Sequence, residues 1–445
     1  MQCLLNRYTL YSNYKPLLNL QIMKKIISIA LMTMLFACAS IETYAQTTID
    51  GEFRPRFEYR DGYKKLPDSS TTPNYVVTQR SRLNVKYESS KLKAKISLQD
   101  VRTWGDEVLK TDVAGIGLYE AWVELPVVDS LSIKVGRQEL AYDNERLLSK
   151  GDWNAKGVTH DAVVLKYKRC GWTVDFGNAF NQTSDATLFG TDYSTGGGNY
   201  KTLDYIWITK QVKNLKINAA GIADGYQKTG TKNTLYIRGT YGGGVEYKLK
   251  DLNIAARGFS QMGKDLDGKD ISAYYANADI SYLFIKKLTV LGGFEYISGN
   301  DARNTSNKKV NTFSTLYGSG HRYNGNMDYF TDMPKHTKGA GLIDGYMNIK
   351  YKFSDKVSAR ADAHYFRLQN HYLVNKVNID RYLGTETDLS AQFDFSKEVS
   401  LTIGYSFMMA TSSMEIIVGG DKDKFANWGF ATLTVKPKFY KEASK

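Results

Sequence analysis

The side chains of this chain best suited to chemistry are guanidiniums set among carboxylates at alternate positions. Residues 51–60 read Gly-Glu-Phe-Arg-Pro-Arg-Phe-Glu-Tyr-Arg, with Glu52, Arg54, Arg56, Glu58 and Arg60 on even positions and Phe53, Pro55, Phe57 and Tyr59 on odd ones. Successive side chains of a strand point to opposite faces, so one face is charged and the other apolar. The same parity puts Arg80, Arg82, Glu120, Arg238, Arg257, Arg360 and Asp362 on charged faces. A guanidinium is a planar fork that meets a carboxylate through two parallel hydrogen bonds. Such a row either binds anions or is held by neighbouring acids as scaffold. For any single residue the pattern leaves both readings open.

Strands must carry these faces. Between residues 48 and 439 we read about 18 period-2 segments. Short polar connections such as Ser89-Ser90, Lys213-Asn214, Lys286-Lys287 and Lys397-Glu398 alternate with long ones, notably 61–75, 140–157, 183–201 and 300–338. This alternation predicts an all-β fold: a transmembrane antiparallel up-and-down barrel of about 18 strands, with short periplasmic turns and long extracellular loops. Rows such as Leu401/Ile403/Tyr405/Phe407 and Ala431/Leu433/Val435/Phe439 would face lipid, and the charged rows a watery lumen. A soluble sandwich also alternates, but five charges on one face suit a polar lumen better. A mean hydropathy of −0.40 agrees with a barrel that wets every second side chain. A helical membrane protein would need apolar runs of about 20 residues, and 46–445 has none.

The N-terminal stretch reads as a leader. Met23-Lys24-Lys25 is a basic start, Ile26 to Ala39 an apolar core, and Thr43-Tyr44-Ala45 a small-x-small cleavage site, with Met23 a candidate start. Leu35-Phe36-Ala37-Cys38 resembles a lipoprotein box, although the segment runs on naturally to Ala45. The expected organisation is a leader over 1–45 and a barrel over 46–445. Removing 1–45 takes away Arg7, Lys15, Lys24 and Lys25 against Glu42, which brings the formal charge from +13 to +10 and leaves Cys170 as the one cysteine. In an exported protein that basicity points to anionic small molecules, lipopolysaccharide or polysaccharide rather than nucleic acid.

Parity breaks in two places. After Leu92/Ala94/Ile96/Leu98 it sends Asp100 and Arg102 outward, and after Leu131/Ile133/Val135 it does the same to Arg137. An arginine facing lipid at the midplane costs roughly 2–4 kcal/mol. Bulges near Gln99 and at Gly136 are therefore expected to turn these side chains inward, the alternative being that they sit above the lipid. Inward bases concentrate early in the chain and inward acids late, which predicts a polarised lumen where the barrel closes.

The stretch Gly136-Arg137-Gln138-Glu139-Leu140-Ala141-Tyr142-Asp143-Asn144-Glu145-Arg146-Leu147-Leu148, followed by Trp153, resembles the alginate-export family of outer-membrane porins. Thr78 to Leu83, Gln99 to Gly105, Leu316 to His321 and Gly325 to Asp328 support the resemblance, which runs through most of the chain after residue 45. It implies a monomeric 18-stranded barrel with an electropositive constriction that guides an anionic uronate polymer. Carried over by position, it places Arg80, Arg82, Arg102, Arg137 and Arg146 around that constriction, with Asp100, Glu139 and Glu145 holding the guanidiniums. The implied partners are an anionic saccharide or small anionic solute, outer-membrane lipid and lipopolysaccharide, and the barrel assembly machinery. That machinery would read the Phe439-Tyr440 end. Cargo and direction stay open, as do a general diffusion porin and a barrel enzyme built on His160 or His364.

Other signals carry less. Gly258 to Lys264 nearly spells a phosphate loop, but Asp265 replaces the needed Ser or Thr. Asp265 to Asp270 lacks the distal glutamate of a hand-type calcium loop. The five histidines show no zinc spacing, so no metal or cofactor is expected.

Overall fold

The computed structural model describes residues 45–107, 115–182, 199–228, 230–231 and 233–442. Apart from Ala45, the expected leader lies outside them. Every expected segment forms a strand. In chain order they are β1 (Gln46–Asp61), β2 (Asn74–Glu88), β3 (Lys93–Thr103), β4 (Ile116–Val128), β5 (Leu131–Gln138) and β6 (His160–Arg169). Then come β7 (Trp172–Phe180), β8 (Thr202–Val212), β9 (Leu215–Gln227), β10 (Leu235–Lys248), β11 (Leu252–Lys264) and β12 (Asp270–Ile285). The third group is β13 (Leu288–Ile297), β14 (Leu342–Lys352), β15 (Val357–Leu368), β18 (Tyr382–Asp394), β19 (Val399–Ala410) and β20 (Ala426–Val435). β16 (Leu373–Val374) and β17 (Val377–Asn378) make a small hairpin inside a loop, and β21 (Lys438–Lys441) continues β20 past Lys436-Pro437.

Each strand pairs antiparallel with its neighbours, and β1 closes the ring by pairing with β2 on one side and with β20 and β21 on the other. The result is a closed 18-strand barrel. Closure leaves no strand edge in hydrocarbon, where an unpaired amide costs several kcal/mol. The faces follow parity. Phe53, Phe57, Ile237, Ile280, Phe294, Met347, Leu389 and Ile403 are exposed on the outside, whereas Glu58, Arg80, Glu120, Asp224, Glu295, Asp344 and Glu386 are buried within.

The expected bulges are not where parity breaks. The irregularity lies in β4, where Ser97 pairs with Glu120 and Leu98 with Leu118, so Tyr119 is the extra residue and both Tyr119 and Glu120 turn inward. The β2–β3 register is unbroken through Arg102, and Gly136 takes φ +121° without shifting the β5 register. Asp100, Arg102 and Arg137 therefore stay on the outer face near the extracellular rim. Near the membrane interface an outward charge costs only about 0–1 kcal/mol, so these positions do not need a bulge.

The long connections fold into the barrel rather than away from it. From the connection over 298–341, Phe313, Met327, Tyr329, Phe330 and Met333 pack on the inward side chains Phe366, Leu368, Met408 and Trp428, joined by Leu147 and Leu148 from the connection over 139–159. Two helices belong to this inner core, α1 (Met333–His336) and α2 (Ser412–Val418). Asp332 and Thr411 stand at their respective N-caps, and the Thr411 hydroxyl accepts from the Met414 amide. The extracellular half thus carries a dry core inside a ring that is apolar outside, while the periplasmic half keeps a polar lining.

The last strand is the seam of the closure. Lys438, Tyr440 and Lys441 pair with Asp50, Ile49 and Thr48, and the Gly51 amide donates to the Pro437 carbonyl at 2.9 Å. Deleting residues 437–445 would leave that edge of β1 open, so the folded, heat-modifiable band on a semi-native gel is expected to disappear. A barrel that still migrates as folded would show the seam to be dispensable.

Candidate channel constriction

The arginine wall expected on β1 and β2 forms, and each member meets a carboxylate, a side-chain amide or an aromatic face. Arg80 is fully buried; its Nε donates to Glu52 (2.6 Å) and its NH2 to Asp152 (2.8 Å). Arg54 reaches the same Asp152 at 3.5 Å. Arg56 is bridged to Glu58 (2.8 Å), donates to the Trp153 carbonyl (2.9 Å) and lies 4.0 Å from the Trp153 ring centroid. Arg82 donates to Gln99 (2.5 Å) and covers the Tyr119 ring at 3.5 Å.

The connection over 139–159 descends to meet this wall. Its lowest point is Asp143, in the left-handed region at φ +50°, whose carboxylate takes Arg257 Nε (2.5 Å), the Asn218 amide (2.9 Å) and Lys216 (3.6 Å). Arg146 is buried against β13, where its NH2 donates to Glu295 (2.6 Å) and to Asn324 (2.8 Å), with the Tyr323 ring 4.6 Å away. Backbone bonds from Tyr317 to Leu147 and from Ser319 to Glu145 zip this segment to the one over 298–341. Gly318 is required there, since a Cβ would strike the Arg146 carbonyl.

Trp153 is the wedge. Arg56 covers its ring from the wall, and His321 stacks on it at 3.7 Å between centroids. His321 Nδ1 faces Asp328 at 2.9 Å, and the Tyr63 hydroxyl donates to the other Asp328 oxygen. Burial works against ionising Asp328, but the His321 ring and the Tyr63 hydroxyl outweigh it, and its pKa sits below the ordinary value. Between residues 60–74, 151–158 and 318–331 lies a cavity of about 710 Å³ lined by Arg56, Arg60, Lys64, Lys65, Trp153 and His321, among others.

The other expected site residues are also paired. Arg238 forks onto Asp224 (3.0 and 2.5 Å), and Arg360 onto Asp362 (both contacts 2.6 Å). Glu120 takes Lys95 and the Trp122 indole, Glu139 accepts from the Tyr119 hydroxyl, and Glu145 accepts from Ser149 with Arg322 at 3.6 Å. Of the three acids expected to hold guanidiniums of the constriction, Asp100 grips Arg102 (2.7 and 3.0 Å), but on the outer face. Arg137 is likewise outside the constriction, forked onto Asp161 (3.1 and 2.9 Å). The holding acids are instead Glu52, Asp143, Asp152, Asp224 and Glu295, most of them brought by long-range contacts that no local spacing announces.

The lumen is polarised, with a correction. Bases gather on β1–β3 and acids on β13–β15 and β18, but they do not meet at the seam, because the inward faces of β19 and β20 carry no charge. Nor do His160 and His364 sit free at a rim. His160 Nδ1 is 2.7 Å from the Tyr200 hydroxyl, and His364 is held by Asp344 at 2.9 Å. Asp265 caps its own turn through the amides of Asp267 and Lys269, and among the described residues no group of three or more His, Cys, Asp or Glu is placed to hold a metal.

What the pattern under-weighted is a set of lysines at the periplasmic mouth. Lys168, Lys350 and Lys352 face inward, are exposed, and join none of the ion pairs found among the described residues. Lys134 lies 3.9 Å over the Trp122 ring. Lys350 stands across from Thr289 on one side and Arg360 on the other, with no acid opposite it.

Known proteins fit this geometry. Residues 45–411 match the model of the alginate export family, so the chain belongs to that family. Solved barrels resemble it in fold. OccK9 (OpdG) of Pseudomonas aeruginosa has a TM-score of 0.60 at 12% identity, covering 88% of this chain and 98% of its own. OccAB1 of Acinetobacter baumannii gives 0.61 at 12%, covering 89% and 97%. OpdK of Pseudomonas aeruginosa with vanillate gives 0.56 at 12%, covering 89% and 99%. No curated protein matches. The chain is thus a porin-like β-barrel of a Gram-negative outer membrane and a member of the alginate export family.

The Asp152 contact gives a pH prediction. Burial raises its pKa, but the Arg80 charge and hydrogen bond, with Arg54 behind them, hold it down to about 2. A depressed carboxylate stabilises above its unfolded value, here 3.8, and loses that contribution only as pH falls through the folded one. Single-channel noise from this anchor should therefore stay flat from pH 7 down to pH 4. Asp152→Asn should raise it across the whole range. If wild-type noise grew already at pH 5, another group would be the anchor.

Proposed function

We propose that this barrel is a passive, anion-preferring channel for an acidic or polar saccharide, approached from the periplasm through its lysine-lined mouth. The observation that carries the reading is where uncompensated charge lies. The lumenal arginines are held by carboxylates or ring faces, as Lys134 is by the Trp122 ring, whereas Lys168, Lys350 and Lys352 are exposed and join no ion pair among the described residues. Lys350 faces Arg360 across β14–β15, and because Arg360 is already forked onto Asp362, Lys350 is the member of that pair without an acid.

A positive mouth raises the local concentration of anions and speeds their entry, an effect that weakens with salt. Lysine is a compact, strongly hydrated point charge, so each contact is brief and exchangeable. Conduction needs this: binding favourable enough to enter and weak enough to leave. The family name supports a uronate polymer as cargo, and the structure of OpdK with vanillate, a small carboxylate, supports the same charge class. On this reading the chain works as a monomer among outer-membrane lipid and lipopolysaccharide, placed there by the barrel assembly machinery. The inward-folded connections favour a narrow path over the wide lumen of a general diffusion porin.

Reversal potentials in a salt gradient across planar bilayers test the reading. The anion/cation permeability ratio should exceed one, and Lys168→Gln/Lys350→Gln/Lys352→Gln should bring it towards one. Arg137→Glu, on the outer face, should leave it unchanged. A wild-type ratio near one would instead make this a general porin.

A further inference from the structure

Four of the periplasmic turns repeat one pairing, an exposed apolar side chain at the strand end and then a lysine. Val212 precedes Lys213, Leu249 precedes Lys250, Ile285 precedes Lys286 and Lys287, and Phe395 stands two residues before Lys397; all of them are exposed. None of these lysines joins an ion pair found among the described residues, although Asp251 and Glu398 stand next to Lys250 and Lys397 in sequence. On the outer wall at the same level, Lys210 lies 4.8 Å from the Trp172 ring centroid, and its Nζ donates to the Cys170 carbonyl at 2.8 Å. Consecutive turns are two strands apart, roughly 10 Å. That is about one screening length at physiological salt, so neighbouring charges reinforce one another along an arc from the β8–β9 turn to the β12–β13 turn, and the β14–β15 turn, with Lys356 beside Asp355, lies between these and Lys397.

We infer that this arc docks the headgroups of anionic phospholipids in the periplasmic leaflet. The apolar member of each pair faces hydrocarbon and fixes the depth of the turn. The lysine stem then runs along the apolar surface and brings its ammonium to the level of the phosphates. A soluble polyanion would need the charge but not the apolar neighbour, and the recurrence of the pairing at four turns is what favours lipid. The inference stands apart from the conduction reading, because these side chains lie on turns outside the lumen.

The test uses the full protein, taken from nanodiscs of mixed phosphatidylcholine and phosphatidylglycerol into mild detergent, with retained lipid counted by mass spectrometry. Phosphatidylglycerol should be retained over phosphatidylcholine by on the order of fivefold, the factor expected for one lysine at an anionic surface. The preference should shrink as salt is raised. In Lys213→Gln/Lys250→Gln/Lys286→Gln/Lys287→Gln/Lys397→Gln the two lipids should be retained alike, with the folded gel band intact. Equal retention by the wild type, or a preference that survives in the folded variant, overturns the inference. Should the variant not fold, the wild type decides alone, and a preference indifferent to salt overturns it. Soluble polyglutamate binding the protein in pure phosphatidylcholine discs as well as phosphatidylglycerol is retained would also overturn it, since the arc would then take any polyanion.

Discussion

The constraint behind every other feature is that no strand amide may be left open in hydrocarbon. β1 answers it by pairing with β2 along one edge and with β20 and β21 along the other. Once the ring is closed, the period-2 pattern has no freedom left: one face of each strand is in lipid and the other is enclosed. The apolar rows go out, and charge that a soluble protein would keep at its surface is carried inside. A barrel of this kind is an inverted globule, and its energetics turn on how the enclosed charges are satisfied.

Unpaired charge cannot be kept in a space that is losing water, and the inward connections remove water from the extracellular half. There the guanidiniums have partners: Arg80 with Glu52 and Asp152, Arg146 with Glu295, Arg257 with Asp143, Arg238 with Asp224. Three of these pairs, those made by Asp143, Arg146 and Asp152, join a connection to the wall. The ion pairs are therefore also tethers between the connections and the barrel wall, and losing one partner would strand a buried charge. Towards the periplasm Lys86, Lys95 and Lys166 are paired with Asp50, Glu120 and Glu124, whereas Lys168, Lys350 and Lys352 join no ion pair among the described residues.

Much of the fold could be read in the sequence because both of its signals are local. Parity and turn chemistry delimited all 18 strands and sorted short turns from long connections, from β1 through to the seam at Phe439-Tyr440. What parity could not show was which acid would meet which base. Asp143 lies about 110 residues before Arg257, and Arg146 about 150 before Glu295, as their separations of 114 and 149 show. Those pairs exist only because the loops fold inward. Arg102 and Arg137 were drawn inside by the cost of charge in lipid, a cost that depends on depth. Near the rim it is small, and a forked aspartate at each site meets the guanidinium without a bulge. Lys350 was legible in a different way: once the register is known, the absence of an acid opposite it follows.

On the proposed reading, in which the cargo is anionic, the distribution of paired arginine and unpaired lysine has a consequence for transport. Had the buried arginines been left without carboxylates, a passing uronate would meet several planar forks at once in a poorly hydrated space, where charge-assisted bidentate bonds are strongest. It would be held rather than passed. Asp152 and Asp143 occupy those forks, so the strongest anion sites of the lumen are already filled by the protein itself. An anion in transit is then left with hydrated ammonium groups, whose contacts water can replace at each step. A channel that must release a multivalent chain is better served by many weak cations than by a few strong ones, and pairing the arginines internally is how one barrel contains both kinds.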